Sequence, residues 1–171
     1  MSTDTGGDNA TASGAGRVRF YQLSGASLES TLARLCAKTL ERGWRALVVS
    51  RSQPWLEHLD DFLWLHPPEG FLPHGRCGSP HAARQPVLLC PEIHKENQAD
   101  VLFVADGRLV EMVGEFTLVV DFVPPGERDA ARQRYVHYRS RGCALEYWVQ
   151  TPGGGWEQPN PRSASGVTAG R

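Results

Sequence analysis

Arg128, Arg132, Tyr135 and Arg139 follow one another at steps of four, three and four residues. On a helix that turns about 100° per residue, they share a sector roughly 60° wide. Arginine carries a planar fork of donors that grips a carboxylate with two parallel hydrogen bonds, so this stripe suits an acidic peptide or a chain-terminal carboxylate. Tyr135 and Val123, the last residue of the VVDFV run, would wall a pocket for an apolar side chain. A solubilising arginine face would show the same spacing.

A second surface candidate is the pair Trp64 and Phe71 within LWLHPPEGFLPHG. Trp64 falls on the polar side of its helix and Phe71 follows the Pro67-Pro68 break, so both can stand exposed as interface anchors. Packing of the loop onto the body is the alternative. His74, Cys77 and His81, with Cys90 and His94 downstream, are the residues that most resemble metal ligands. Their spacing matches no zinc pattern, and they read as solvent-exposed residues of a Gly- and Pro-rich connection with no metal role. The four cysteines, Cys36, Cys77, Cys90 and Cys143, form no CxxC and read as reduced, mostly packing thiols.

Enzymatic signatures are missing. No GxxxxGK[ST] or GxSxG occurs, and Gly14-Ala15-Gly16 precedes the first predicted strand where a phosphate loop should follow it. The turn that does follow, Leu23-Ser24-Gly25-Ala26-Ser27, reads as a turn and helix cap. Asp60 and Asp61 adjoin on a helix and point apart, as a solvated face would. Asp121 sits where a carboxylate in an open α/β sheet often meets the ligand crevice, although a cap or an ion pair is its expected role. The alternative function these residues allow is a nucleotide- or phosphate-binding enzyme at the sheet's switch point, using Ser24, Ser27 and Asp121.

The elements that must position these side chains are legible as alternating patterns. Val18 to Leu23 predicts a strand; Ser27 then caps a helix striped by Leu28, Leu32, Leu35 and Thr39, and Gly43 ends it. RALVVS, residues 45–50, has the apolar run of a strand covered on both faces. Leu56, Leu59, Phe62 and Leu63 line one side of a helix starting near Gln53-Pro54 and stopped by Pro67-Pro68. Strands are predicted at 86–90, 101–104 and 117–123, then a helix over 127–141 ended by Gly142, then a last strand over 144–149. This order implies a Rossmann-like three-layer α/β sandwich: a mostly parallel sheet with helices on both faces.

A chain of 171 residues and 18.8 kDa suits one domain. Residues 1–16 and 151–171 are rich in Gly, Pro, Ser and Thr and read as disordered tails, with Trp156 able to dock, which leaves residues 17–150 as the body. A net charge of -1 supplies no global field to hold nucleic acid, so direct binding of single-stranded DNA is disfavoured. Neither a membrane span nor a signal peptide is visible, which makes the cytoplasm the expected location.

The strings FYQL, GWRALVV, DFLWLHPPEGFLPH, VVDFVP and ARQRYVHYRSRG, in that order, resemble the chi subunit of bacterial DNA polymerase III. The likeness runs from about Val18 to Trp148. It implies a Rossmann-like fold used without a nucleotide or other cofactor, and an adaptor that catalyses nothing. The partners it implies are the psi subunit, which ties the family to the clamp loader, and the acidic C-terminal tail of single-stranded DNA-binding protein. By resemblance, Arg128, Arg132, Tyr135, Arg139 and Val123 hold that tail, while Trp64 and Phe71 are offered to a further protein of helicase type. Val136 departs from the family pattern, where a lysine is familiar, which implies weaker or less salt-sensitive tail binding.

Overall fold

The computed structural model describes residues 15–66 and 70–159. Its strands are β1 (Arg17–Gln22), β2 (Ala46–Val49), β3 (His74–Arg76), β4 (Val87–Cys90), β5 (Val101–Val104), β6 (Leu118–Val123), β7 (Ala144–Gln150) and β8 (Trp156–Glu157). The helices are α1 (Leu28–Glu41), α2 (Gln53–Leu65) and α3 (Arg128–Ser140), with short 3-10 turns at Ala82–Arg84 and Val113–Glu115. The eight strands form one sheet in the order β3-β4-β2-β5-β6-β1-β7-β8. Every pairing is parallel except β7 with β8.

The local chemistry explains these boundaries. Ser27 caps α1, its Oγ accepting from the Ser30 amide at 3.1 Å. At the other end Gly43 takes a φ of 75°, which a side chain would oppose, and its amide donates to Leu40 O. Ser52 caps α2 by accepting from the Trp55 amide, and Pro54 sits in the first turn, where its missing N–H costs nothing. The expected stop at Pro67-Pro68 lies outside the described residues.

All four residues of β2, β4 and β5 are buried, as strands covered on both faces must be. On one face α1 and α2 bury Leu32, Cys36, Leu56, Leu59 and Leu63 over Val48, Leu89, Phe103 and Phe122. On the other, Ala131 and Tyr138 of α3 join Val110, Val113 and Phe116 over Phe20, Leu47, Leu102 and Val119. The layers are those of a Rossmann-like sandwich.

Three expectations need correction. The sequence shows no signal for β3, a three-residue edge strand containing a glycine and two polar residues, which takes its shape from pairing with β4. Past Gln150, where the body was expected to end, the chain turns back and β8 pairs antiparallel with β7, so that Trp156 packs edge-on against Tyr21 at 4.7 Å. Burying that indole offsets the entropy of ordering the glycine-rich turn. Residues 1–14 and 160–171 of the two expected tails lie outside the described residues.

The third correction concerns the thiols. Cys77, just beyond β3, and Cys90, at the end of β4, are joined in a disulfide, with Cα atoms 5.2 Å apart. They stand thirteen positions apart in sequence, and the β3–β4 pairing, extended by the Cys77 amide donating to Leu89 O, brings them together. Cys36 and Cys143 are free. Burial pushes the Cys36 thiol far above its ordinary value, which keeps it an inert packing group.

Candidate protein-binding site

The turn Pro124-Pro125-Gly126 ends β6 and aims the chain into α3, whose first intrahelical bond runs from Ala131 N to Glu127 O. Three side chains fix how the helix is rotated. Ala131 is fully buried, and Tyr138 is buried with its hydroxyl accepting from the Val110 amide at 2.9 Å. Arg134, between them, turns inward and donates from Nε to Asp121 Oδ2 at 2.7 Å and from Nη2 to Oδ1 at 2.8 Å. Burial pushes the Asp121 carboxyl above its ordinary value, and the Arg134 guanidinium pulls against that shift.

With residues 131, 134 and 138 facing in, Arg128, Arg132 and Arg139 are held outward, and all three are exposed. Among the described residues none of them forms an ion pair or a side-chain hydrogen bond, so their donors are free for a ligand. Tyr135 is half-buried beside them, its ring 5.6 Å from Phe20 and 6.5 Å from Tyr147. The structure therefore brings Arg128, Arg132, Tyr135 and Arg139 onto one side of α3. Val123 does not reach that surface. As the last residue of β6, in register with Gln22 and fully buried, it belongs to the core against which Tyr135 packs and walls nothing.

The aromatic ring that does stand beside Tyr135 is that of Tyr147. It stacks on Phe20 at 5.9 Å and donates its hydroxyl proton to Gln22 Oε1 at 2.7 Å. Burial pushes its hydroxyl up and the Asp121 charge adds to that, while the positive charges of Arg128, Arg132 and Arg134 act against it. The sequence places Tyr147 in the last predicted strand, residues 144–149, without assigning it a face. What was hidden is the register Phe20↔Tyr147, which assigns the tyrosine to the α3 face.

Trp64 and Phe71 also come together. They are 55% and 71% exposed with ring centroids 5.8 Å apart, and Leu65 beside them is 74% exposed. This aromatic step stands at the β3 edge of the sheet, at the opposite end from β7. Underneath is His74, which is buried and not the solvent-exposed residue expected. Its ring lies 4.6 Å from Trp64 and its Nδ1 is 2.8 Å from Leu72 O. Its Nε2 is 3.1 Å from Asp60 Oδ1, so Asp60 leans inward and is not simply solvated. Among the described residues no three His, Cys, Asp or Glu side chains gather as a metal ion would require.

The residues of the nucleotide-site alternative all have internal partners. The amides of Ser24, Gly25 and Ala26 converge on a single acceptor, Gln150 Oε1, at 3.0, 2.9 and 3.1 Å, and Ser24 Oγ donates to Gln150 O. Ser27 caps α1, and Asp121 holds Arg134. Where a dinucleotide-binding fold would place phosphate at the first β-α turn, this chain places its own glutamine.

A family model described as "DNA polymerase III chi subunit, HolC" matches residues 16–146. The chain belongs to the chi subunit family. Among named relatives, DNA polymerase III subunit chi of Escherichia coli K12 is 30% identical over 122 residues, covering 70% of this chain and 83% of its own length. The Pseudomonas aeruginosa PAO1 subunit is 28% identical over 135 residues, covering 76% of this chain and 94% of its own. A solved structure of Mss116p DEAD-box helicase domain 2 bound to an RNA duplex superposes with a TM-score of 0.51 at 12% identity, over 88% of this chain and 67% of that one. That likeness is one of fold alone. As a member of the chi family the chain is an accessory subunit in DNA replication and not an enzyme.

Proposed function

We propose that this chain is an adaptor of the replicative DNA polymerase III holoenzyme, linking the clamp loader, through psi, to single-stranded DNA-binding protein. It grips the acidic C-terminal tail of the latter with Arg128, Arg132 and Arg139, and seats the tail's apolar end against Tyr135 and Tyr147. The supporting observation is the contrast within α3: Arg134 is consumed by Asp121, whereas the stripe arginines are exposed and, among the described residues, have no carboxylate of their own. Burying one aromatic contributes about 1.5–3 kcal/mol and each charge-assisted hydrogen bond about 1.5–3 kcal/mol. After ordering costs, that corresponds to micromolar-scale affinity.

Trp64 and Phe71 offer a separate exposed aromatic step to a second protein, of helicase type. As a replication subunit it acts in the cytoplasm; no described helix is long and apolar enough to cross a membrane. The test is fluorescence anisotropy of a labelled acidic peptide ending in Asp-Ile-Pro-Phe. Wild type binds it, and Arg132→Ala weakens binding at least tenfold. Equal binding by both proteins would remove the mechanism.

A further inference from the structure

Phe20 and Tyr21 are neighbours in β1 and point to opposite faces of the sheet, Phe20 into the core under α3 and Tyr21 into the core under α1 and α2. On the Tyr21 face, α1 packs chiefly on β2, and α2 on β3 and β4. The strip of that face over β5, β6 and β1 is roofed by side chains instead. The result is a groove of about 300 Å³ with Phe103, Leu118 and Val120 along its floor, Leu35 on the helix side, and Trp148 and Trp156 on the hairpin side.

Among the described residues four cations line this groove, Arg17, Arg19, Lys38 and Arg42, and the nearest carboxylate, Glu146, lies behind Arg19 and Trp148. Arg19 is balanced by Glu146, whose Oε2 accepts from its Nε at 2.8 Å. Among the described residues Arg17, Lys38 and Arg42 have no acidic partner within ion-pair distance, and Lys38 and Arg42 are exposed. Arg42 lies over the Trp44 ring at 5.3 Å, which holds its charge at the lip of the apolar floor.

We propose that this groove docks an acidic segment of a partner protein carrying large apolar side chains, at a site on the opposite face from the α3 stripe. The apolar floor accepts the apolar anchors, and Lys38 and Arg42 at the rim select flanking Asp and Glu residues. The indoles do not form a platform for stacked bases. Trp148 and Trp156 are half-buried, Trp148 Nε1 is committed to Glu146 at 3.1 Å, and Trp156 stands edge-on to Tyr21.

The proposal is tested with a random dodecapeptide library displayed on phage and selected on the full chain. Selected peptides should combine Asp or Glu with Leu, Ile, Phe or Trp and lose at least tenfold in affinity on Lys38→Glu or Arg42→Glu. Both substitutions fall at exposed positions, and thermal melts superimposable on wild type establish that the fold is kept. Failure to select any acidic peptide sensitive to these reversals would overturn the proposal, as would oligothymidylate binding that the same reversals abolish. Peptides that lose binding on Arg132→Ala and keep it on both reversals would report the α3 stripe, overturning the groove while leaving the earlier reading intact.

Discussion

Arg134 and Asp121 meet through two parallel hydrogen bonds of 2.7 and 2.8 Å, with both side chains almost entirely buried. The pair ties the middle of α3 to the middle of β6, and the turn at Gly107 closes over it. A Cβ at Gly107, which has a φ of 67°, would lie 3.2 Å from Arg134 Nη1. One guanidinium is spent inside the protein so that three others in the same helix point outward.

Arg134→Ala should therefore destabilise the fold by about 3–5 kcal/mol, since it leaves a buried carboxylate without a partner. Arg132→Ala should leave stability close to wild type. Urea denaturation of the two variants side by side makes the comparison, and equal loss in both would show that the buried pair does not anchor the helix.

Tyr147 supplies half of the aromatic surface beside the arginines. Tyr147→Ala should weaken binding of the acidic peptide several-fold by removing that surface. Tyr147→Phe removes only the bond to Gln22 and should retain most of the affinity. Anisotropy titrations of both variants check this, and equal effects would mean that the hydroxyl, not the ring, matters.

Gln150 accepts from three consecutive amides of the turn after β1. Gln150→Leu deprives them of that acceptor in a partly buried turn, and should cost about 1–3 kcal/mol for each amide that water fails to reach. The measurement is the midpoint of thermal unfolding. An unchanged midpoint would show that solvent replaces the glutamine freely.

Burial would raise the Asp106 carboxyl, but hydrogen bonds from the Arg108 side chain and the Arg51 amide outweigh it and hold the group below its ordinary value of 3.8. A carboxyl whose folded-state value is depressed binds its proton more readily when unfolded. Its contribution to stability is full above the unfolded value and is lost as pH falls through the lower, folded one. Asp106→Asn should therefore narrow the stability difference between neutral pH and pH 3, read by urea unfolding across that range. An unchanged acid limb would mean the depression is absent.

The sequence alone carried the α/β alternation, because apolar runs such as LVV, VLLC and VLFV have nowhere to be stable except a sheet covered on both faces. It also carried the stripe of Arg128, Arg132, Tyr135 and Arg139, because a helical repeat is a local property. The stripe's orientation was not local. It depends on Arg134 and not Arg132 finding Asp121, and that pairing requires β6 and α3 to be in place first.

Tertiary structure likewise decided which residues complete the aromatic surface. The sequence predicts Val123 as the wall and does not single out Tyr147; pairing buries the valine in the core and leaves the tyrosine beside Tyr135. The Cys77–Cys90 bond, the β7–β8 hairpin and the groove under Trp148 and Trp156 share the same origin. Each depends on contacts between residues separated in the chain, and the spacing of residue types along a sequence encodes such contacts only once the sheet has brought the strands together.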